Sequence, residues 1–159
     1  MPDNPDRCLL IVEDDPGLQS QMRWCFDEEL RVELASDAEE AVAILRRCEP
    51  QVVTLDLGLP PDPGGSEEGF RLLREMLELA PRTRVIVITG REEDEHSVRA
   101  IGMGAWDYYQ KPVESDTLRF VVERAFRIRE LEDENERLQT SAGASPLDGV
   151  IASSDSMLQ

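Results

Sequence analysis

The sequence predicts a doubly wound α/β domain, because short apolar strands alternate with amphipathic helices along most of the chain. Four stretches rich in β-branched and aliphatic residues predict strands buried on both faces, the last of them least clearly. They cover residues 9–12, 52–55, 85–88 and 107–110. Residues 31–34 alternate apolar and polar side chains, which predicts an edge strand. Five strands that alternate with helices indicate a parallel sheet covered by helices on both faces.

Helices are predicted where apolar residues recur at helical spacing between the strands. The first follows Pro16, and Ser36-x-x-Glu39 predicts a capping box that opens the second. After Lys111-Pro112 a last helix is predicted from near Ser115 to about Leu138, beyond the usual globular length.

The end of this last helix carries a short heptad pattern. Its a and d positions are Ile128, Leu131, Asn135 and Leu138. Asn at an a position favours two-stranded parallel pairing, and Arg127 at g can meet Glu132 at e of a partner helix. We therefore expect a homodimer through this helix and through a face of the globular domain. Because the pattern spans fewer than two heptads, a lone amphipathic helix that caps the domain is the alternative.

The chain is predicted to contain four segments. A globular domain covers residues 7–127, a helical extension 128–139, a flexible linker 140–146, and the start of a further, truncated domain 147–159. The sequence is thus expected to be a piece of a longer protein.

The composition limits the classes of function. A formal net charge of −17 argues against nucleic-acid binding by this fragment, since phosphate contacts need a basic face. Neither a membrane-length apolar run nor a secretory signal is present, which predicts a cytoplasmic protein. The cysteines Cys8, Cys25 and Cys48 form no CxxC pair, and small thiols without a metal are favoured over a metal or redox site.

Each strand of the predicted sheet core ends in a polar residue. Glu13 and Asp14, then Asp56, then Thr89, then Lys111 follow successive strands. The carboxyl ends of parallel strands meet at one edge, which is where doubly wound domains bind ligands. Two carboxylates 4 Å apart repel by about 4 kcal/mol at an effective dielectric of 20. The cluster therefore predicts a bound cation, and hard oxygen ligands favour Mg²⁺.

An ionised aspartate beside Mg²⁺ is a competent nucleophile toward phosphorus and gives an aspartyl phosphate. The transferred group needs fixed positive charge and hydrogen-bond donors around it. Lys111 can supply the charge and the Thr89 hydroxyl a donor. The backbone amides of Leu57 and Gly90 can add further donors, and Gly90 lets the backbone come close.

Four motifs in this order, VEDD, VTLDLGLP, VIVITG and YYQKPV, resemble the receiver domain of two-component response regulators. The resemblance runs from near Cys8 to Leu138. It implies the CheY-like, flavodoxin-like sheet order 2-1-3-4-5. It also implies a phosphoacceptor that takes its phosphoryl group from a histidine kinase, rather than an enzyme that turns over a substrate.

The resemblance also assigns roles to individual residues. Asp56 would be the phosphoacceptor, with Glu13 and Asp14 as the acidic pair and Asp14 in direct contact with Mg²⁺. The Gly58 carbonyl would be a further metal ligand, and Thr89 and Lys111 would bind the phosphoryl oxygens. Lys111-Pro112 would be a cis peptide bond. Tyr108 would be the aromatic residue that swings inward when Thr89 moves.

Two further segments carry resemblances of their own. The loop after Asp56, LGLPPDPGGSEEGF, is longer than is usual in the family and is similar to regulators of exopolysaccharide and PEP-CTERM loci. Residues 147–159 resemble the opening of the AAA+ domain in activators of sigma-N RNA polymerase. Without a Walker loop, the fragment is not expected to hydrolyse ATP, and contacts with DNA and with the sigma-N holoenzyme would belong to missing domains. A receiver with another output, or a stand-alone adaptor, is the alternative.

Two other classes fit the residues less well. A haloacid-dehalogenase-type phosphohydrolase needs a second aspartate two residues after its nucleophile, where this chain has Gly58. A flavodoxin-like module without covalent chemistry needs a phosphate-binding loop after the first strand, where residues 13–15 are acidic. Outside the site, His96 is predicted to be solvated surface, and Trp24 and Trp106 to be packing residues.

Overall fold

A computed structural model describes residues 6–26, 30–61, 65–90 and 94–143 of the chain. Within them, parallel strands form a five-stranded sheet in the order β2-β1-β3-β4-β5. The strands are β1 (Cys8–Val12), β2 (Arg31–Ala35), β3 (Val52–Leu55), β4 (Arg84–Thr89) and β5 (Asp107–Gln110). This confirms the predicted fold class and sheet order.

Five helices connect or follow the strands in the described part of the chain. They are α1 (Pro16–Trp24), α2 (Ala38–Cys48), α3 (Glu67–Leu79), α4 (Asp94–Met103) and α5 (Ser115–Gly143). Asp15 caps α1 by accepting from the amides of Gly17 and Leu18. The proline at the start of α1 has no amide hydrogen, so it fits the first helical turn.

The predicted capping box at Ser36 and Glu39 is wrong by one residue. Asp37 caps α2, because its side chain accepts from the Glu40 amide at 2.8 Å. The Glu40 carboxylate in turn accepts from the Ser36 amide at 2.8 Å. The arrangement resembles a capping box with an aspartate as the cap, but Glu40 accepts from the residue before the cap and not from the cap itself.

Alternate residues of the central strands enter two separate cores. Leu10 and Val12 of β1 face α2 and α3, whereas Leu9 and Ile11 face the side that contains Phe126 of α5. This alternation follows from the two-residue period of a strand. Both faces of β1, β3 and most of β4 are covered, as the sequence predicts.

Strand β5 differs from the prediction that it is buried on both faces. It lies at the edge of the sheet, and its residues are half-buried or exposed. The prediction that Trp24 is a packing residue is also wrong, because 83% of its surface is exposed. Trp106 does pack against the core, and the Arg84 guanidinium lies 4.6 Å from the centre of its ring.

Helix α5 has 29 residues and belongs to two compact units, one ending at Phe126 and the other beginning at Arg127. It continues to Gly143, beyond the end predicted near Leu138 and into the segment expected to form a linker from Thr140. Residues 144–159, which include the rest of that linker and the predicted start of a further domain, lie outside the described residues. Among the helices that are described, none is long and apolar enough to cross a membrane.

Candidate functional site

The register of the central strands brings three acidic residues to one point at the carboxyl edge of the sheet. Val12 pairs with Leu55, and the Asp56 amide donates to the Val12 carbonyl at 3.0 Å. Glu13 and Asp56, which follow the neighbouring strands β1 and β3, therefore lie side by side. One carboxylate oxygen from each of Glu13, Asp14 and Asp56 lies within 4.8 Å of the others.

Lys111 joins this cluster from the far side of the sheet. Its ammonium donates to Glu13 Oε1 at 2.7 Å and to Asp56 Oδ2 at 3.3 Å. The Lys111 backbone amide donates to the Thr89 carbonyl at 2.9 Å, which holds the end of β5 beside the end of β4. Thr89 is buried at the same edge. Glu13, Asp14, Asp56 and Lys111 are thus brought together as predicted from the strand ends, and Thr89 ends the neighbouring strand.

Burial changes the acid–base chemistry of this cluster. It raises the pKa of Glu13 to about 7, against the hydrogen bond from Lys111, and the charge of Asp56 adds to the rise. Burial alone would lower the pKa of Lys111. The hydrogen bond to Glu13 and the negative charges of Asp56 and Glu13 outweigh it, so the pKa of Lys111 is raised and its ammonium stays charged.

Two backbone amides hold the carboxylates in place. The Gly58 amide donates to Asp56 Oδ1 at 3.2 Å, and the Asp15 amide donates to Glu13 Oε2 at 3.2 Å. Asp56 consequently has one oxygen toward Lys111 and the other toward Gly58. This fixes the plane of its carboxylate, while only 7% of its residue surface is exposed.

The residues predicted to complete the site lie close to it along the chain, and their roles stay predictions. Leu57 is fully buried next to Asp56, whereas Gly90 is exposed after Thr89. A Cβ atom added at Gly90 would meet no atom of the described residues within 4 Å, so crowding by those residues does not explain this glycine. Tyr108 is half-buried on β5, paired in register with Val87. The Lys111-Pro112 peptide bond is cis, as expected.

A close contact explains how α3 is held against the backbone that follows β3. A Cβ atom added to Gly69 would lie 2.3 Å from the Leu57 Cα and 2.4 Å from its carbonyl oxygen. Only a glycine lets the helix approach the backbone that follows Asp56 so closely. The sequence gives a glycine here but no sign of which backbone it meets, so this residue was not predicted.

His96 is not the solvated surface residue that was predicted. It is half-buried, and its Nε2 atom lies 3.2 Å from Ser66 Oγ at the start of α3. Its ring also meets Phe70 edge-on, with 5.4 Å between the ring centres. The contact depends on how α3 and α4 pack, which the acidic composition around His96 did not indicate.

Three carboxylates facing one ammonium leave an excess of negative charge in a largely buried place. All three supply hard oxygen atoms, the donors that Mg²⁺ prefers. The residues present therefore fit a divalent cation at this edge of the sheet.

The sheet order and this acidic edge with its lysine define a phosphoacceptor domain of the response-regulator class. The family model described as "Response regulator receiver domain" matches residues 9–123. The chain belongs to this family.

Sequence relatives include transcriptional regulators. The alginate biosynthesis transcriptional regulatory protein AlgB of Pseudomonas putida is 31% identical over 157 residues, which cover 98% of this chain and 34% of AlgB. The C4-dicarboxylate transport transcriptional regulatory protein DctD of Pseudomonas aeruginosa is 33% identical over 132 residues, covering 82% of this chain and 28% of DctD. The chain spans about a third of the length of these curated relatives.

Solved structures show the same fold. NtrX from Brucella abortus, in complex with ADP, superposes with a TM-score of 0.77 at 31% identity and covers 92% of this chain and 32% of that one. A CheY-like response regulator receiver domain protein from Methanospirillum hungatei has a TM-score of 0.72 at 28% identity, covering 79% of this chain and 98% of its own.

Proposed function

We propose that this receiver domain accepts a phosphoryl group on Asp56 from a histidine kinase, with Mg²⁺ bound at the acidic edge. The observation that supports this most directly is the approach of Glu13, Asp14 and Asp56 to one another, with the Lys111 ammonium on two of them. A purely structural ion pair would not need a third carboxylate within 4.8 Å.

In the proposed reaction an Asp56 carboxylate oxygen attacks the phosphorus of a phosphohistidine. The new O–P bond forms as the P–N bond to the kinase histidine breaks. Glu13, Asp14, Asp56 and the Gly58 carbonyl would hold Mg²⁺, which neutralises charge and orients the phosphoryl oxygens. Lys111 then supplies the fixed positive charge on those oxygens.

The remaining donors would surround the same group. The Thr89 hydroxyl and the amides of Leu57 and Gly90 would donate to the phosphoryl oxygens. Tyr108 would fill the space behind Thr89 as it moves, and the α4–β5 face would repack. Such a switch is a two-state equilibrium that local electrostatics biases. The domain is thus a phosphoacceptor in a signalling pathway, and Gly58 disfavours phosphohydrolase turnover.

We extend the proposal to the longer protein. The relatives are named as transcriptional regulators and are about three times as long as the matched region. The receiver of residues 7–127 and the helical extension of 128–139 would control a sigma-N-activating AAA+ domain, with DNA and RNA polymerase contacts made elsewhere. The extension would form a homodimer. The association with PEP-CTERM loci stays a prediction.

The proposed chemistry is tested by intact-mass analysis after incubation with acetyl phosphate and Mg²⁺. The wild type should gain one acid-labile phosphoryl group, and Asp56→Asn should gain none. The matched control is Asp116→Asn, which replaces an exposed aspartate at the start of α5 and should gain the phosphoryl group like the wild type. Labelling that persists in Asp56→Asn would place the acceptor elsewhere.

A further inference from the structure

Gln19 lies on α1, outside the acidic cluster, and its side-chain amide contacts the backbone that carries it. The Nε2 atom donates to the Glu13 carbonyl at 2.6 Å, to the Ala35 carbonyl at 3.1 Å and to Ser36 Oγ at 3.2 Å. Both backbone partners are carbonyls, which only accept hydrogen bonds. The amide nitrogen, and not the amide oxygen, must therefore face them.

The Gln19 amide completes the hydrogen bonding of Glu13. The Glu13 amide donates to the Ala35 carbonyl at 2.9 Å, and Gln19 donates to both the Glu13 and the Ala35 carbonyls. The Glu13 carboxylate accepts from Lys111 on one oxygen and from the Asp15 amide on the other. Each polar group of Glu13 thus has a hydrogen-bond partner, and Gln19 contacts the peptide unit that joins Glu13 to Asp14.

The hydrogen bond from Gln19 to the Glu13 carbonyl matters because it holds the turn after β1, where like charges lie close together. Glu13, Asp14 and Asp56 bring negative charges within 4.8 Å of one another, and their repulsion favours a turn that opens outward. A turn held closed by Gln19 keeps the oxygens converged before a cation arrives. Binding of the cation then costs less free energy, because its ligands are already ordered.

We propose that Gln19 is a positioning residue for the divalent-cation site, acting through the Glu13 backbone carbonyl and not through the metal itself. The inference rests on the proposed function, in that it requires a cation to bind Glu13, Asp14 and Asp56.

The test measures metal binding directly. Mn²⁺ shares the preference of Mg²⁺ for oxygen ligands, and its free concentration is read from its electron paramagnetic resonance signal. Gln19→Met keeps the length of the side chain and removes the donor. Its dissociation constant for Mn²⁺ should rise about tenfold, the lower end of the usual effect of losing a group that hydrogen-bonds to a metal ligand. Gln21→Met, at an exposed position of the same helix, should bind Mn²⁺ like the wild type.

A second variant keeps the test valid if Gln19→Met is unfolded. Gln19→Asn retains an amide that is one carbon too short to reach both carbonyls, and it should also bind Mn²⁺ more weakly. In labelling by acetyl phosphate, the Mg²⁺ concentration at half-maximal rate should rise in both variants while the rate at saturating Mg²⁺ is unchanged. A general loss of structure would lower that saturated rate.

The outcomes separate the two hypotheses. Folded Gln19 variants with the wild-type affinity for Mn²⁺ would overturn the role of Gln19 and leave the proposed function standing. Equal weakening by Gln21→Met would also overturn it, since the effect would then belong to the whole helix. A wild-type protein that binds no Mn²⁺ and takes up no phosphoryl group would overturn the proposed function itself.

Discussion

The Lys111 ammonium donates to Glu13 Oε1 at 2.7 Å, across 98 residues of sequence. The two side chains leave β5 and β1, which are not neighbours in the sheet, and they meet over the end of β3 where Asp56 lies. Lys111 therefore partly neutralises the same carboxylates that a divalent cation would bind. The lysine and the cation are expected to compete for these carboxylates electrostatically, even though both would assist the proposed phosphoryl transfer.

Replacing Lys111 by methionine tests this competition. Lys111→Met should bind Mg²⁺ more tightly than the wild type by about tenfold or more, since like charges 4 Å apart repel by about 4 kcal/mol at an effective dielectric of 20. Labelling by acetyl phosphate should nevertheless become slower, because the phosphoryl oxygens lose a fixed charge. Isothermal titration calorimetry measures the first effect, with Lys111→Arg as the charge-preserving control. Unchanged or weaker Mg²⁺ binding would contradict the competition.

The raised pKa of Glu13 predicts how stability depends on pH. Between its ordinary value of 4.5 and about 7, Glu13 keeps a proton in the folded protein that the unfolded chain has lost. The folded state then binds more protons, so stability decreases as pH rises. In a chelator, the free energy of unfolding should fall by on the order of 1–3 kcal/mol between about pH 5 and pH 8.

Urea unfolding at a series of pH values measures this decrease. Glu13→Gln cannot ionise, so its unfolding free energy should vary less over the same pH range. The other titrating groups are common to both proteins and cancel in the difference. Parallel curves for the two proteins would show that Glu13 has an ordinary pKa.

The fold was predictable because its signals are local. The strands are continuous apolar runs, and each ends in a polar residue at the edge where parallel strands place their ligands. The site residues Glu13, Asp56 and Lys111 were predictable for the same reason, since the strand ends alone decide which edge they share. Neither the register nor a distance was needed to find them.

The residues that were missed or misplaced depend on packing between segments distant in sequence. Gln19 reaches one carbonyl just after β1 and one at the end of β2, and His96 is half-buried because α4 packs near Ser66. Trp24 is an apolar residue whose helix leaves it outside the core. Local patterns specify which residues form a helix, whereas its neighbours decide what each of its faces meets.

Gly69 gives a test of the packing beside Asp56. Gly69→Ala should destabilise the protein by about 2–3 kcal/mol, the upper part of the usual range for forcing an extra methyl into a filled space, because its Cβ would overlap the Leu57 backbone. Gly102→Ala on α4 is the matched control, since its Cβ would meet no atom within 4 Å in the part of the chain that the structure describes. That control should be neutral or stabilising by up to about 1 kcal/mol. Chemical denaturation measures both, and equal effects would contradict the close approach of α3.

The contact between Ser66 and His96 predicts a measurable coupling between α3 and α4. Arg99 reinforces the same contact by lying 4.0 Å from the centre of the Phe70 ring and pairing with Glu67 at 3.1 Å. In a double-mutant cycle, Ser66→Ala and His96→Ala should show a coupling energy of about 0.5–1.5 kcal/mol, the net value of one hydrogen bond. Urea denaturation of the two single variants and the double variant measures it. Additive effects would mean that the two side chains do not interact in solution.

The apolar heptad positions of α5 predict an oligomeric state. Leu131 and Leu138 are 64% and 58% exposed, although the burial of each leucine is worth about 1.5–3 kcal/mol. A second copy of the helix would cover them, with Asn135 setting the pairing. Leu131→Asp should convert a dimer to a monomer in multi-angle light scattering, because it would place a charge in the apolar interface between the two helices. Thr140→Asp, outside the a and d positions, should leave the mass of the dimer unchanged. A wild-type protein that is monomeric at high concentration would leave α5 as the lone amphipathic helix of the alternative prediction.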